Sequence, residues 1–119
     1  MPVLNIDFDN RVEFLNYLKT DNRTGLILKF TADWCQPCKT ISPLVDELVS
    51  RLPDDINYIN IDVDINFDLY ANLKRLKQLR GIPSLLYYKP GNYTYIPDST
   101  VSGTDSNLIA AFFANFLKT

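Results

Sequence analysis

Phe30-Thr31-Ala32-Asp33-Trp34-Cys35-Gln36-Pro37-Cys38-Lys39 is the stretch on which the reading of this chain turns. Before it, Leu26-Ile27-Leu28-Lys29-Phe30-Thr31 is apolar on both alternating faces except at Lys29, the pattern of a strand covered by helices on both sides. After it, Ile41, Leu44, Val45, Leu48, Val49 and Leu52 recur at helical spacing. The two cysteines therefore sit where a strand passes into a helix. Pro37 suits the first turn, whose N–H groups have no helical acceptor, and Pro43 falls inside the periodic run and kinks it.

That junction carries chemistry. Cys35 and Cys38, three apart, are close enough to join in a small disulfide, and a helix N-terminus favours a thiolate over a thiol. A free thiol has a pKa near 8.5 and each unit of depression is worth about 1.4 kcal/mol, so a drop of one or two units makes Cys35 a competent nucleophile at neutral pH. Cys38, one turn further in and less exposed, is expected to resolve a mixed disulfide by attacking the sulfur of Cys35.

The rest of the composition narrows the alternatives. At 119 residues, 46% of them hydrophobic, the chain fits one domain, 1–119, with enough apolar surface to fold without staples. The only two cysteines are thus free for redox work, since the loop they close is too small to stabilise a fold. There is no histidine, which removes imidazole bases and His-ligated zinc, and no third or fourth ligand completes a zinc site around the pair. Metal and bound cofactor are expected to be absent. The net charge of −2 argues against nucleic acid as a partner. With no apolar run of membrane length and no signal-like N-terminus, the expected setting is cytoplasmic and away from membranes. Charge is uneven: residues 1–68 hold 6 basic and 12 acidic side chains, residues 69–119 hold 6 and 2. The run Lys74, Arg75, Lys77, Arg80 reads as the solvated face of a helix.

Outward from the motif, Val3–Phe8 reads as a strand, followed by a helix over Arg11–Thr20 capped by Asp9 or Asn10 and burying Val12, Phe14, Leu15 and Leu18. Ile56–Asp62 is a second inner strand. Asp68 caps a helix with Leu69, Leu73, Leu76 and Leu79 on its buried side, stopped by Gly81. Ser84–Lys89 is a third strong strand, with a hairpin partner expected at Tyr93–Ile96. Thr104 or Asp105 caps a last helix whose apolar face is Leu108, Ala111, Phe112, Asn115 and Phe116. The order βαβαβαββα implies an α/β fold, a mixed central sheet flanked by helices on both faces.

These residues resemble the thioredoxin family over nearly the whole chain. The 30–39 segment looks like the family's active-site segment, Pro43 matches its helix-kinking proline, Asn60-Ile61-Asp62 resembles its third strand, and Gly81-Ile82-Pro83-Ser84 is similar to the signature before its fourth strand. The resemblance implies a thioredoxin-like fold and a cis Pro83 facing the cysteines. It further implies a groove shaped by Trp34, Gln36, Pro37, Ile82, Pro83 and Gly103, and reduction of disulfides in protein substrates by a monomer that draws electrons from a thioredoxin-reductase-like donor. A disulfide oxidase or isomerase using the same cysteines, and a binding module holding partners at Ile82-Pro83 without turnover, remain the alternatives. Two positions depart from the pattern. Lys29 stands where the family commonly has a buried aspartate, and Tyr58 where a lysine is common on the adjacent strand. One reading points Lys29 inward beneath Cys38, stabilising a thiolate or taking its proton, with Tyr58 as its hydrogen-bond partner. The other puts the Lys29 ammonium in water. Asp62–Pro83 looks longer than in typical members, so the third helix is expected to extend from Leu69 to Leu79.

Overall fold

Five consecutive residues, Leu26 to Phe30, are buried in the strand β2 (Leu26–Thr31), and the reason is its place at the centre of the sheet. In the computed structural model, which describes residues 3–117, the sheet order is β1 (Val3–Leu4), β3 (Asn57–Asp62), β2, β4 (Ser84–Tyr88), β5 (Ser99–Ser102). β1 and β3 run parallel to their neighbours, whereas β4 is antiparallel to β2 and β5 to β4. Between them lie α1 (Arg11–Thr20), α2 (Gln36–Ser50), α3 (Phe67–Arg75) and α4 (Ser106–Ala114). The alternation along β2 divides the core: Leu26, Leu28 and Phe30 join Phe14, Leu18, Leu69 and Leu73 on the α1/α3 side. Ile27 joins Val45, Leu48, Tyr58, Leu85, Phe112 and Phe113 on the α2/α4 side. The mixed α/β order follows the expected one.

Several boundaries differ from expectation. β1 covers only Val3–Leu4, and Asn10, not Asp9, caps α1 by accepting from the Glu13 amide at 3.0 Å. The buried face of α1 is Phe14, Tyr17 and Leu18, with Val12 exposed. Asp68 is not a cap: Asn66 holds that position, and Asp68 instead takes both the backbone N–H and the guanidinium of Arg11, clamping α3 to α1.

α3 does not extend to Leu79. It ends at Arg75, with Leu76 as its C-cap, in a pair of bonds, Lys77 N–H to the Lys74 carbonyl and Gln78 N–H to the Leu73 carbonyl, both 2.9 Å. This is a Schellman closure, which requires a left-handed residue after the cap, and here that residue is Lys77 at φ 61° where glycine is usual. Leu79 reaches the core from the following turn.

The partner of β4 is Ser99–Ser102, not Tyr93–Ile96. Residues 93–96 form a loop tied by side chains: Asn92 Nδ2 donates to the Ile96 carbonyl at 2.8 Å and to Asp98 Oδ2 at 2.9 Å, and the Lys89 amide donates to the same carboxylate at 2.9 Å. Asp105 caps α4, accepting from the Asn107 and Leu108 amides, and the core face of α4 is Ile109, Phe112 and Phe113. Leu108, Ala111 and Asn115 lie on its exposed side.

Candidate active site

The strand-to-helix passage places Cys35 as the N-cap of α2, its backbone extended and its sulfur accepting from the Cys38 amide at 3.2 Å. Cys35 and Cys38 are joined as a disulfide with Cα atoms 5.3 Å apart. Pro37 occupies the first turn and Pro43 lies within the helix. Cys35 is 4% and Cys38 1% exposed, so the outer sulfur of the pair is the one expected to meet a partner. The Cys38 amide faces the Cys35 sulfur at the start of the helix. A thiolate there gains a fraction of a kcal/mol up to about 2 kcal/mol from the helix end.

Just before β4, the Ile82–Pro83 peptide is cis. Ile82, Pro83 and Gly103 line one cleft together with Arg80, Gly81 and Ser102. Gly103 sits at φ 97°, in the left-handed region, and its amide donates to the Pro83 carbonyl at 2.9 Å, which fixes the two walls of the cleft to each other. Gln36 and Pro37 are exposed beside the disulfide. Trp34 is 67% exposed and held from one end: its indole N–H donates to Asp64 Oδ2 at 2.9 Å. Asp62 builds the turn that presents Asp64, its Oδ1 accepting from the Asp64 amide at 2.8 Å.

Lys29 points inward. It is 4% exposed, and its Nζ donates to Ser42 Oγ at 3.4 Å, while that hydroxyl donates to the Cys38 carbonyl at 3.0 Å. The ammonium is thus two contacts from the backbone of the inner cysteine. Burial pushes the Lys29 pKa down, and the Asp46 carboxylate, one turn beyond Ser42 on α2, pulls it partly back. Tyr58 is not its partner: the Tyr58 hydroxyl donates to Asn60 Oδ1 at 2.9 Å. Burial, and secondarily Asp46, pushes the Tyr58 pKa up, so the phenol stays protonated. The structure therefore brings Lys29 toward Cys38 and turns the end of Tyr58 elsewhere.

Three residues of this site escaped the sequence reading. Ser42 and Asp46 follow Cys38 at four-residue intervals, a signal that was available. Asp64 had none, because a loop carboxylate acquires its role only from the turn that aims it. Among the described residues no group of three or more His, Cys, Asp or Glu gathers as a metal site, and no helix is long and apolar enough to cross a membrane.

Comparison with known proteins agrees with this geometry. The family model described as Thioredoxin matches residues 5–115. Thioredoxin H8 of Arabidopsis thaliana is 35% identical over 77 residues, 65% of this chain and 48% of that protein, so the chain spans about half its length. The thioredoxin of Pyropia yezoensis is 30% identical over 95 residues, 76% of this chain and 85% of the relative. Among solved structures, that of Trichomonas vaginalis thioredoxin superposes with a TM-score of 0.72 at 21% identity, covering 96% of each chain. The reduced Schistosoma mansoni thioredoxin pre-protein gives 0.70 at 22%, covering 98% of this chain and all of the other. At these identities the two structures speak for the fold.

Proposed function

The chain belongs to the thioredoxin family and is a thiol–disulfide oxidoreductase, and from that premise we propose that it works as a reductase of disulfides in protein substrates. The observation that carries the reading is the Cys35–Cys38 disulfide at the start of α2, with Cys35 as the helix N-cap. In the reduced protein, the Cys35 thiolate attacks one sulfur of the substrate disulfide. The substrate S–S bond breaks, its departing thiolate takes a proton, and a mixed disulfide forms. Cys38, deprotonated, then attacks the Cys35 sulfur, which closes the protein disulfide and releases the second substrate thiolate. Two electrons pass to the substrate, and a dithiol on a thioredoxin-reductase-like donor returns them.

Lys29 is a positioning residue in this scheme. Its positive charge, held by Ser42 near Cys38, favours the inner thiolate that the second step needs, and Tyr58 supplies a neutral wall to the same region. Trp34, Gln36, Pro37, Ile82, Pro83 and Gly103 shape the surface on which the substrate chain lies.

The test is turnover of a protein disulfide such as insulin's with a dithiol regenerant, together with trapping. Cys35→Ser abolishes reduction, whereas Cys38→Ser accumulates mixed disulfides through Cys35. A Cys38→Ser protein that captures no disulfide partner, beside wild type that reduces none, overturns the proposal in favour of a binding module.

A further inference from the structure

A second cleft, of about 530 Å³, adjoins the cleft at cis Pro83, and the two share Arg80 and Ser102. Its walls are the turn Lys77–Arg80 on one side and Leu108, Ala111, Phe112 and Asn115 of α4 on the other, with β5 as its floor. β5 is the edge of the sheet. Because the Gly103 amide bonds the Pro83 carbonyl, the alternation of an antiparallel pair makes Leu85/Val101 a bonded pair and Ser84/Ser102 and Leu86/Thr100 non-bonded ones. The N–H and C=O of Thr100 and Ser102 therefore turn away from β4, outward along the cleft.

Two further features point to an occupant. The charged groups lining the cleft are both cations, Lys77 and Arg80, within a half of the chain that holds 6 basic and 2 acidic side chains. Lys77 also holds a left-handed conformation in which glycine is cheaper by about 1 kcal/mol, and it lies at the rim of this cleft. Opposite it, Leu108 and Ala111 are apolar, exposed and outside the core.

We propose that this cleft holds an extended, acidic segment of the substrate protein that flanks the attacked cysteine, added to β5 as a sixth strand. The inference rests on the reductase reading above and names the class of substrate that reading favours. Main-chain bonds to Thr100 and Ser102 hold the segment, its carboxylates meet Lys77 and Arg80, and an intervening apolar side chain lies on Leu108 and Phe112. Four residues of β5 span on the order of 10 Å, enough to pair with three or four residues of the segment.

The experiment uses matched disulfide-bridged peptides with no tail, an acidic tail or a basic tail, and a disulfide-free peptide carrying the acidic tail. At low salt the KM for the acidic-tailed disulfide is expected about tenfold below that for the basic-tailed one, the gap closing as salt is raised. The disulfide-free acidic peptide shifts the Thr100 and Ser102 amide resonances on titration. Lys77→Gly, expected to fold at least as stably, lowers the acidic preference about threefold and leaves the untailed peptide's turnover unchanged. Thr100→Pro, which removes an outward N–H, weakens the titration as well. Equal KM values for the two tails, unmoved Thr100 and Ser102 amides, or an oligonucleotide competing as well as an acidic peptide would each overturn the proposal. Loss of turnover on the untailed peptide overturns the reductase reading instead, and the titration still judges the cleft by itself.

Discussion

Replacing Lys29 is the sharpest perturbation of the site's electrostatics. The contacts of 3.4 Å and 3.0 Å through Ser42 link its ammonium to the Cys38 carbonyl. That chain places the charge on the order of 8 Å from the inner sulfur, where at an effective dielectric constant of about 20 it is worth about 2 kcal/mol, or about 1.5 pKa units. Asp46 offsets part of this, so Lys29→Met is expected to raise the Cys38 pKa by about 1 unit and Lys29→Asp by about 2 units. The sign is fixed: removing a positive charge disfavours the thiolate, and a negative charge disfavours it further. The assay is ultraviolet thiolate absorbance against pH in a Cys35→Ser background, where Cys38 is the only thiol. The pH profile of mixed-disulfide resolution in the two-cysteine protein should move upward in the same order. Midpoints for Lys, Met and Asp that agree within about 0.3 unit would refute the reasoning and place the ammonium's influence in solvent.

Other expectations are more local. Arg11 holds the Asp68 carboxyl down to about 2, below its ordinary value of 3.8, so the pair's contribution to stability is present above pH 4 and is lost as pH falls through 2. Asp68→Asn should therefore lower the denaturation midpoint at neutral pH, the difference shrinking below pH 4 and vanishing only once the pH is well below 2. Gly25 has φ 132° and a Cβ there would come within 2.8 Å of Ile56 Cδ1, so Gly25→Ala should destabilise by about 1–3 kcal/mol in urea unfolding. Asp64→Ala frees the indole of Trp34, the only tryptophan; its fluorescence should lose anisotropy and KM for a protein disulfide should rise several-fold, with stability within about 0.5 kcal/mol of wild type.

How much of this was legible in the sequence depends on whether local pattern and tertiary contact agreed. At β2 and α2 they did: a doubly covered strand must be apolar on both faces, and Pro37 marks where the helix begins. The end of α3 was hidden because Leu76 and Leu79 continue the helical spacing while a lysine occupies the left-handed position where glycine would have announced a stop. Tyr93–Ile96 has strand-forming side chains, but the Asn92 side chain, itself held by Asp98, takes the Thr94 amide and the Ile96 carbonyl and binds this backbone into a loop. The face of α4 was misplaced by one residue because Leu108 and Ala111 are apolar yet exposed, lining a cleft rather than the core. At the site, the cysteines and cis Pro83 were readable from their motifs, and Lys29 from its oddity in an apolar strand. Its partner was not: the ammonium bonds Ser42 on α2, while the phenol on the neighbouring strand bonds Asn60.

The central claim is that Cys35, at the helix start, is the reactive thiolate and Cys38 the protected one. Brief alkylation of the reduced, folded protein at neutral pH, with the label assigned to each cysteine by peptide mass, tests it most directly. The account predicts that Cys35 is labelled at least about tenfold faster than Cys38, with a pH midpoint below the ordinary thiol value of about 8.5. Equal, slow labelling of both cysteines until the chain is unfolded would contradict it.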